Sequence, residues 1–175
     1  MALSKITTES LLDGEITAAK FATGVGGKVV QVVYVQTGAG ATGTTVIPQD
    51  DTIPQQTEGV EFLTLAITPT HADNILYIES SLNLSPAAAG RRVVALFQDS
   101  TAGALAANMA YMVSSSGNNI ITVQHKMVAG TTSATTFKVR GGNDAAATIT
   151  LNGYTGGRKY GGVLSSFLKI TEILA

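Results

Sequence analysis

The sequence predicts an all-β protein, an antiparallel β-sandwich of the jelly-roll type. Roughly eight or nine short segments are rich in β-branched and aromatic residues, as strands are. Turns rich in Gly, Pro, Asn and Asp separate these segments at the spacing typical of a sandwich. After residue 25, no segment sustains a helical period of apolar residues.

The strands are expected in the following order. The first, Lys28–Gln36, is dense in Val with apolar residues on both faces, so we expect it inside the sandwich or between subunits. Ser100–Met112 is Ala-rich, which leaves a short helix as the alternative to a strand at Leu105–Tyr111. The remaining strands are expected at Val60–Ile67, Asn74–Leu82, Arg91–Gln98, Asn119–Met127, Ala134–Arg140, Ala145–Leu151 and Val163–Ile173.

The N-terminal segment contains two similar ten-residue phrases, Lys5–Gly14 and Glu15–Gly24, which share Ile-Thr near the start and a final Gly. Such a short repeat cannot bury its own apolar side chains and needs neighbours to cover them. We therefore expect residues 1–24 to be an anchor, joined by the glycines at 24–27 to a knob domain at 28–175. A short helix and an extended segment both remain open for the anchor. Its expected contact residues are Ile6, Leu11, Ile16 and Phe21.

The composition and charge of the chain exclude several classes of function. Charged residues make up 13% of the 175 residues, about half the usual share in soluble domains. A net charge of -1 gives no basic field for nucleic acid, and no apolar run approaches the length of a membrane span. The N-terminus lacks the pattern of a secretory signal, and the absence of Cys excludes disulfides. The weakly charged surface is typical of chains that are covered by identical neighbours.

Several patterns resemble catalytic or cofactor sites but lack the required context. Gly38–Gly43 has the spacing of a dinucleotide loop, yet the β-branched and Pro-containing Thr44–Pro48 follows where a helix should start. His71 and His125 are too few and too far apart to define a metal site. Asp50-Asp51 lies in a polar loop and is expected to be a solvated turn. With no nucleophile elbow either, we expect no enzyme, no cofactor and no metal.

The loop Asn152–Gly162 is the strongest binding candidate. It holds two of the five tyrosines and two of the eleven basic residues among five glycines. Tyr and Arg on a Gly-rich loop suit sugar stacking or protein recognition. The alternative is a long connection whose tyrosines only cover the end of the sandwich. The candidate receptor-binding residues are Tyr154, Arg158, Lys159 and Tyr160.

Three segments resemble a widespread bacteriophage tail-fibre or virion knob domain. Ile67–Glu79 (ITPTHADNILYIE) is similar to its strand–turn–strand motif, and Val93–Gly103 (VVALFQDSTAG) to its following strand and turn, with Gln98 in place of a basic residue. Asn152–Ile173 resembles its Gly-rich loop and last strand. The N-terminal phrases are similar to sequences ahead of such knobs. The resemblance implies a homotrimeric β-sandwich on the virion, without catalytic residues.

The function expected from these observations is a short tail or baseplate fibre that attaches a phage to its host. Recognition would use the loops distal to the anchor, on a host glycan or protein. The partners would be two further copies of the chain and other phage structural proteins, with no nucleic acid and no membrane insertion. A capsid cement or decoration protein is the alternative, which the short chain favours, whereas the duplicated phrase favours a fibre. A glycan depolymerase is a third, weaker alternative.

Overall fold

The computed structural model describes residues 28–113 and 117–175, which form two packed antiparallel sheets. The predicted all-β sandwich class is confirmed. A six-stranded sheet packs against a four-stranded sheet of order β3-β8-β5-β6, and β10 and β11 form a separate hairpin. The strands are β1 (Val29–Thr37), β2 (Ala41–Gly43), β3 (Val60–Ile67), β4 (Ile75–Pro86), β5 (Gly90–Gln98), β6 (Ala106–Met112), β7 (Asn119–Val128), β8 (Thr135–Asn143), β9 (Ile149–Leu151), β10 (Gly153–Tyr154), β11 (Gly157–Arg158) and β12 (Ser166–Ile173).

The six-stranded sheet is built around β4, its longest strand. β7 pairs with β4 along one side over Ile75–Leu84. On the other side, β12 pairs with the first part of β4 and β9 with the last part, at Leu84–Pro86. β1 then pairs with β12, and β2 with β9. The last strand of the chain is therefore an interior strand, whereas β1 lies at an edge.

The core lies between the sheets and follows the alternation of the strands. Phe137 and Val139 of β8 are buried, while the alternating residues Thr136, Lys138 and Arg140 are half-exposed on the opposite face. This alternation is the pattern of a sheet with one packed face. Further fully buried members of the core are Leu76, Ile78, Leu82, Leu84, Val94, Leu96, Leu168 and Ile170.

The position of β1 differs from the prediction of an interior strand. Its free edge has no partner among the described residues, and one face is open, with Val32 52% and Tyr34 50% exposed. Val33 and Val35 on the other face pack against the core. The run of valines predicted two covered faces because composition reports apolar surface and not which neighbour covers it. Whether another copy covers the open face stays a prediction.

Other differences concern short or weakly patterned segments. The helix alternative for Ser100–Met112 is wrong, because β6 forms there and pairs with β5 over its whole length. Pairing thus overrides the helix propensity of alanine. Of the strand predicted at Ala145–Leu151, only β9 forms, and the strand predicted at Val163–Ile173 begins at Ser166. The two- and three-residue strands β2, β10 and β11 were not predicted.

The segment 44–59 folds back over the outer face of the four-stranded sheet. Ile47, Ala95 and Phe97 form a second buried apolar cluster beneath it. The Ile47 N–H donates to the Asn143 carbonyl at 2.9 Å and fixes the segment to β8. A Cβ on Gly142 would lie 2.8 Å from the Thr45 carbonyl oxygen, so this close approach requires glycine. The long loop is therefore a packed layer on the sheet.

Glu172 is a fully buried carboxylate in the last strand. Its Oε1 accepts hydrogen bonds from the Asn74 amide at 2.6 Å and from the backbone N–H and hydroxyl of Thr70, both at 2.8 Å. Its Oε2 accepts from Gln31 Nε2 at 2.6 Å. Burial alone would raise the pKa of Glu172, but the hydrogen bonds from Asn74, Gln31 and Thr70 outweigh it and lower the pKa to about 2. The carboxylate thus joins β1 and the β3–β4 turn to β12.

Candidate functional site

The six-stranded sheet has two ends that differ in what they carry. In the antiparallel pair of β1 and β12, Val29 lies opposite Ile173 at one end and Thr37 opposite Ser166 at the other. The chain therefore enters at one end, here called the base. Residues 38–40 and 152–162 lie at the other end, here called the tip. A strand the length of β1 separates the two ends, which is about 30 Å at the usual rise per residue.

A buried polar network holds the tip on the sheet. Asn152 is fully buried, and its Nδ2 donates to the carbonyls of Thr37 at 2.8 Å and Ala39 at 3.1 Å. Its Oδ1 accepts from the Ser166 hydroxyl at 2.7 Å, and that oxygen accepts in turn from the Asn83 N–H at 2.9 Å. Since each of these groups has a partner, the network fixes Asn152, the first residue of the loop 152–162, to Thr37, Ala39 and Ser166.

The two Gly-rich loops of the tip pack backbone against backbone. A Cβ on Gly38 would overlap the carbonyl oxygen of Gly162, so a side chain at position 38 would separate the loops. A Cβ on Gly40 would lie 3.2 Å from the Cβ of Arg158, so the arginine packs over this glycine. The pattern Gly38–Gly43 thus supports the neighbouring loop. Because Ala41–Gly43 continues as β2 and no helix starts there, the structure lacks the dinucleotide-binding geometry.

The structure brings the four predicted binding residues to this tip. Tyr154 is half-buried in the β10–β11 hairpin, while Arg158 and Lys159 are exposed. Tyr160 is 78% exposed, with a positive φ of 52° at the start of one turn of 3-10 helix, Tyr160–Gly162. Within the described residues, neither cation forms an ion pair. Two free cations beside a projecting ring could bind an anionic group or stack on a sugar.

The histidines and the acidic pair that were set aside in the sequence lie on separate elements of the structure. His71 is exposed in its turn, and its Nδ1 lies 3.6 Å from a carboxylate oxygen of Asp73. His125 is half-buried in β7. In the ranges that the structure describes, no group of three His, Cys, Asp or Glu residues could hold a metal ion. Asp50 accepts hydrogen bonds from the hydroxyl and N–H of Thr52, which lower the pKa of this exposed carboxyl in a local turn.

An open cleft, which the sequence did not predict, lies on the outer face of the four-stranded sheet. Its volume is about 610 Å³. Three separate segments meet there: the edge of the 44–59 layer, the β5–β6 turn and the outward face of β8. Eight mainly polar residues line it, namely Gln55, Gln56, Thr57, Asp99, Ser100, Ala102, Thr136 and Lys138. A signal in the sequence was Asp99-Ser100-Thr101, a polar turn directly after a buried strand, although its partners lie far away in the chain.

The predicted anchor residues Ile6, Leu11, Ile16 and Phe21 lie outside the described residues. The anchor and its division from the knob therefore stay predictions. Across the described ranges, the structure contains no helix of the length and apolar character needed to cross a bilayer.

No protein-family model and no curated protein matches the sequence. Among solved structures, the sugar-binding C-terminal domain of EclA aligns over 97% of this chain and 99% of its own, at 12% identity and a TM-score of 0.36. Dimeric latent PorU from Porphyromonas gingivalis aligns over 87% of this chain and 14% of its own (10% identity, TM-score 0.38). The VP2 subviral particle of infectious bursal disease virus aligns over 84% and 39%, respectively (12% identity, TM-score 0.32). At these TM-scores, the likenesses carry no argument about function.

Proposed function

We propose that this protein is a structural protein of a bacteriophage virion, a homotrimeric knob of a short tail or baseplate fibre that attaches the particle to its host. Residues 1–24 would bind other phage structural proteins, and the tip would contact the host surface. The observation that carries the proposal is the separation of the two ends. The chain enters the sheet at the base, whereas the candidate binding residues lie at the tip. A knob anchored at its N-terminus would thus present the tip outwards.

Two features of the tip support a role in recognition. Tyr160 and the two neighbouring cations project from a backbone that buried Asn152 holds in place, so little backbone has to be ordered on binding. The cations have no ion-pair partner among the described residues, so a ligand group need not displace an internal pair.

The resemblance to phage knob domains supports the homotrimer, and so does the open face of β1. Val32 and Tyr34 expose apolar surface there, and Tyr34 stacks on Phe167 of β12, with ring centroids 5.6 Å apart. Adjoining exposed aromatic and aliphatic side chains are typical of surfaces covered by another protein. Light scattering coupled to size exclusion measures the oligomer, and a mass of one chain would contradict the trimer.

Immunogold electron microscopy of intact phage particles tests the place of the protein. Antibodies against this chain should label the tail tip or baseplate. Label over the head would overturn the fibre and favour the cement or decoration protein. No label on any particle would contradict the virion assignment.

An adsorption assay with variant particles tests the role of the tip. We expect Arg158→Ala with Tyr160→Ala to reduce adsorption to host cells at least about tenfold, as expected for the loss of recognition residues. The matched control is Arg91→Ala with Tyr111→Ala, which removes another exposed Tyr and its cation, 5.3 Å apart, from the four-stranded sheet. Equal adsorption by the two double variants would refute the assignment.

A further inference from the structure

We propose that the open cleft on the four-stranded sheet is a second binding site, and that its ligand is an uncharged saccharide. The cleft is distinct from the tip, and the proposal does not depend on the virion function. Its volume, about 610 Å³, lies within the range of roughly 300–1,000 Å³ that is usual for small-molecule sites.

The cleft lies near the base of the molecule. Gln98 pairs with Phe137 where β5 ends, and β8 begins opposite Ile67, the last residue of β3. These residues are at the end of the sandwich that also contains Thr68, whose carbonyl accepts from Gln31 of β1. A ligand in the cleft would therefore bind far from Tyr160 at the tip.

The walls of the cleft are held in place by hydrogen bonds between its three segments. Gln56 donates from its backbone N–H to the Ala102 carbonyl at 2.9 Å, and from Nε2 to the carbonyls of Asp99 at 3.0 Å and Thr101 at 2.5 Å. Asp99 exchanges two 2.7 Å bonds with Thr136, one from its own N–H and one to its Oδ1. These contacts fix the first wall to the β5–β6 turn and that turn to β8 before a ligand binds.

Asp99 lines the cleft from a left-handed backbone conformation. Its φ of 47° is in the left-handed region, which Asp and Asn adopt more readily than most residues. Oδ1 is occupied by the Thr136 N–H. No ion pair in the described part of the chain includes Asp99, so the carboxylate has remaining acceptor capacity.

Lys138 supplies a charge of the opposite sign. It projects from the outward face of β8 and lines the same cleft. Lys138 and Asp99 do not form an ion pair, so their charged atoms are more than 4.0 Å apart. Two opposite charges that share a cleft without neutralising each other can be bridged by a group that both donates and accepts hydrogen bonds.

This arrangement selects the ligand class. Neighbouring hydroxyls of a sugar ring could donate to the carboxylate of Asp99 and accept from the ammonium of Lys138, while Ser100, Thr57 and Thr136 add hydroxyl groups. A ligand with a single charge would be attracted by one of these groups and repelled by the other, whereas a neutral polyol can hydrogen-bond to both, so a neutral ligand is favoured. The lining has no aromatic ring and the cleft is open, so we expect dissociation constants in the millimolar range.

NMR titration of the isotope-labelled protein tests the proposal. The probes are glucose, galactose, mannose and N-acetylglucosamine, with glucuronate and glucosamine as charged comparators. We expect at least one neutral sugar to shift amide signals of residues 55–57, 99–102 and 136–138, and both charged sugars to bind more weakly. The proposal is overturned if no neutral sugar shifts these amides, or if a charged comparator binds equally well.

Three substitutions test which side chains bind the sugar. We expect Lys138→Met and Asp99→Asn to raise the dissociation constant about tenfold each, because each removes a charged hydrogen-bonding group. Asn at position 99 retains an Oδ1 acceptor for Thr136 and tolerates the positive φ, so this variant should keep the fold. The control Lys126→Met, on the other sheet, should leave the constant unchanged. Unchanged binding by both cleft variants would refute the assignment.

The proposed sugar site in the cleft and the proposed host-binding site at the tip can be tested independently of each other. Tyr160→Ala, which affects adsorption under the proposed function, should leave the sugar titration unaltered because Tyr160 is at the opposite end. Conversely, Lys138→Met should retain host adsorption. Loss of sugar binding in Tyr160→Ala would move the sugar site to the tip and overturn the cleft.

Discussion

The buried carboxylate of Glu172 permits a quantitative prediction about acid stability. Hydrogen bonds from Asn74, Gln31 and Thr70 lower its pKa from the ordinary 4.5 to about 2. A difference of this size between the folded and unfolded states corresponds to a stabilisation on the order of 3 kcal/mol. Because the pKa is lower in the folded state, this stabilisation is present above pH 4.5 and is lost as the pH falls towards 2.

The substitution Glu172→Gln removes the charge at nearly constant shape. The amide oxygen can keep the bonds from Thr70 and Asn74, but the new NH₂ group faces Gln31 Nε2, so two donors oppose each other. We expect a loss of about 2–3 kcal/mol in the free energy of unfolding at pH 7. Between pH 7 and pH 3, the gap to the wild type should shrink by about 2 kcal/mol, because Glu172 takes up a proton in the unfolded chain, where its pKa is the ordinary 4.5, and stays mostly ionised in the folded protein.

Urea denaturation between pH 3 and pH 8, followed by circular dichroism at one fixed protein concentration, measures both effects. The control is Glu79→Gln, which breaks the 2.6 Å ion pair with Lys169 on the outer face of the same sheet. Both side chains of this pair are 36% exposed, so we expect the free energy of unfolding to change by less than about 1 kcal/mol. A Glu172→Gln protein as stable as the wild type at pH 7, or a gap independent of pH, would refute the reasoning.

Three further predictions concern the tip, the covering layer and the anchor. Gly38→Ala should lower the free energy of unfolding by about 1–3 kcal/mol, because the new Cβ would overlap the neighbouring loop. The control Gly157→Ala should not lower it, because its Cβ would lie 3.7 Å from the nearest atom. Equal urea midpoints for the two variants would contradict this prediction. Phe97→Ala should lower the free energy of unfolding by about 3–5 kcal/mol and speed amide hydrogen exchange in segment 44–59. Unchanged exchange would contradict the packing of this segment on the sheet. Ile16→Asp with Phe21→Asp should release the protein from phage particles without changing the melting temperature of the knob. Loss of the thermal transition would contradict the division of the chain into an anchor and an independently folded knob.

Much of the fold could be predicted because alternation reports a packed face directly. In β8, buried Phe137 and Val139 alternate with half-exposed Lys138, which is enough to orient the strand. The same alternation places Glu172 at an inward position of β12, in register with Leu168 and Ile170, and this signal in the sequence was missed. A carboxylate in an apolar register indicates a buried network, although the identity of its donors depends on the tertiary fold.

The binding regions were only partly predictable for a different reason. The residues Tyr154–Tyr160 are close in sequence, so their composition alone identified the loop. Their support by Gly38 involves backbone contacts between glycines, which leave no side-chain pattern in the sequence. The cleft joins Gln56, Asp99 and Lys138 from three distant segments, so only the paired sheet brings its chemistry together.

The place of β12 has a consequence for biosynthesis. Its residues Ser166–Ile173 lie between β1 and β4, so the first strand of the described chain cannot find its partner until the last strand has left the ribosome. During translation, the apolar residues of β1 and one side of β4 remain uncovered, which exposes the nascent chain to aggregation. A stop codon just before β12 would therefore remove the middle of the sheet, and its product should be degraded or insoluble.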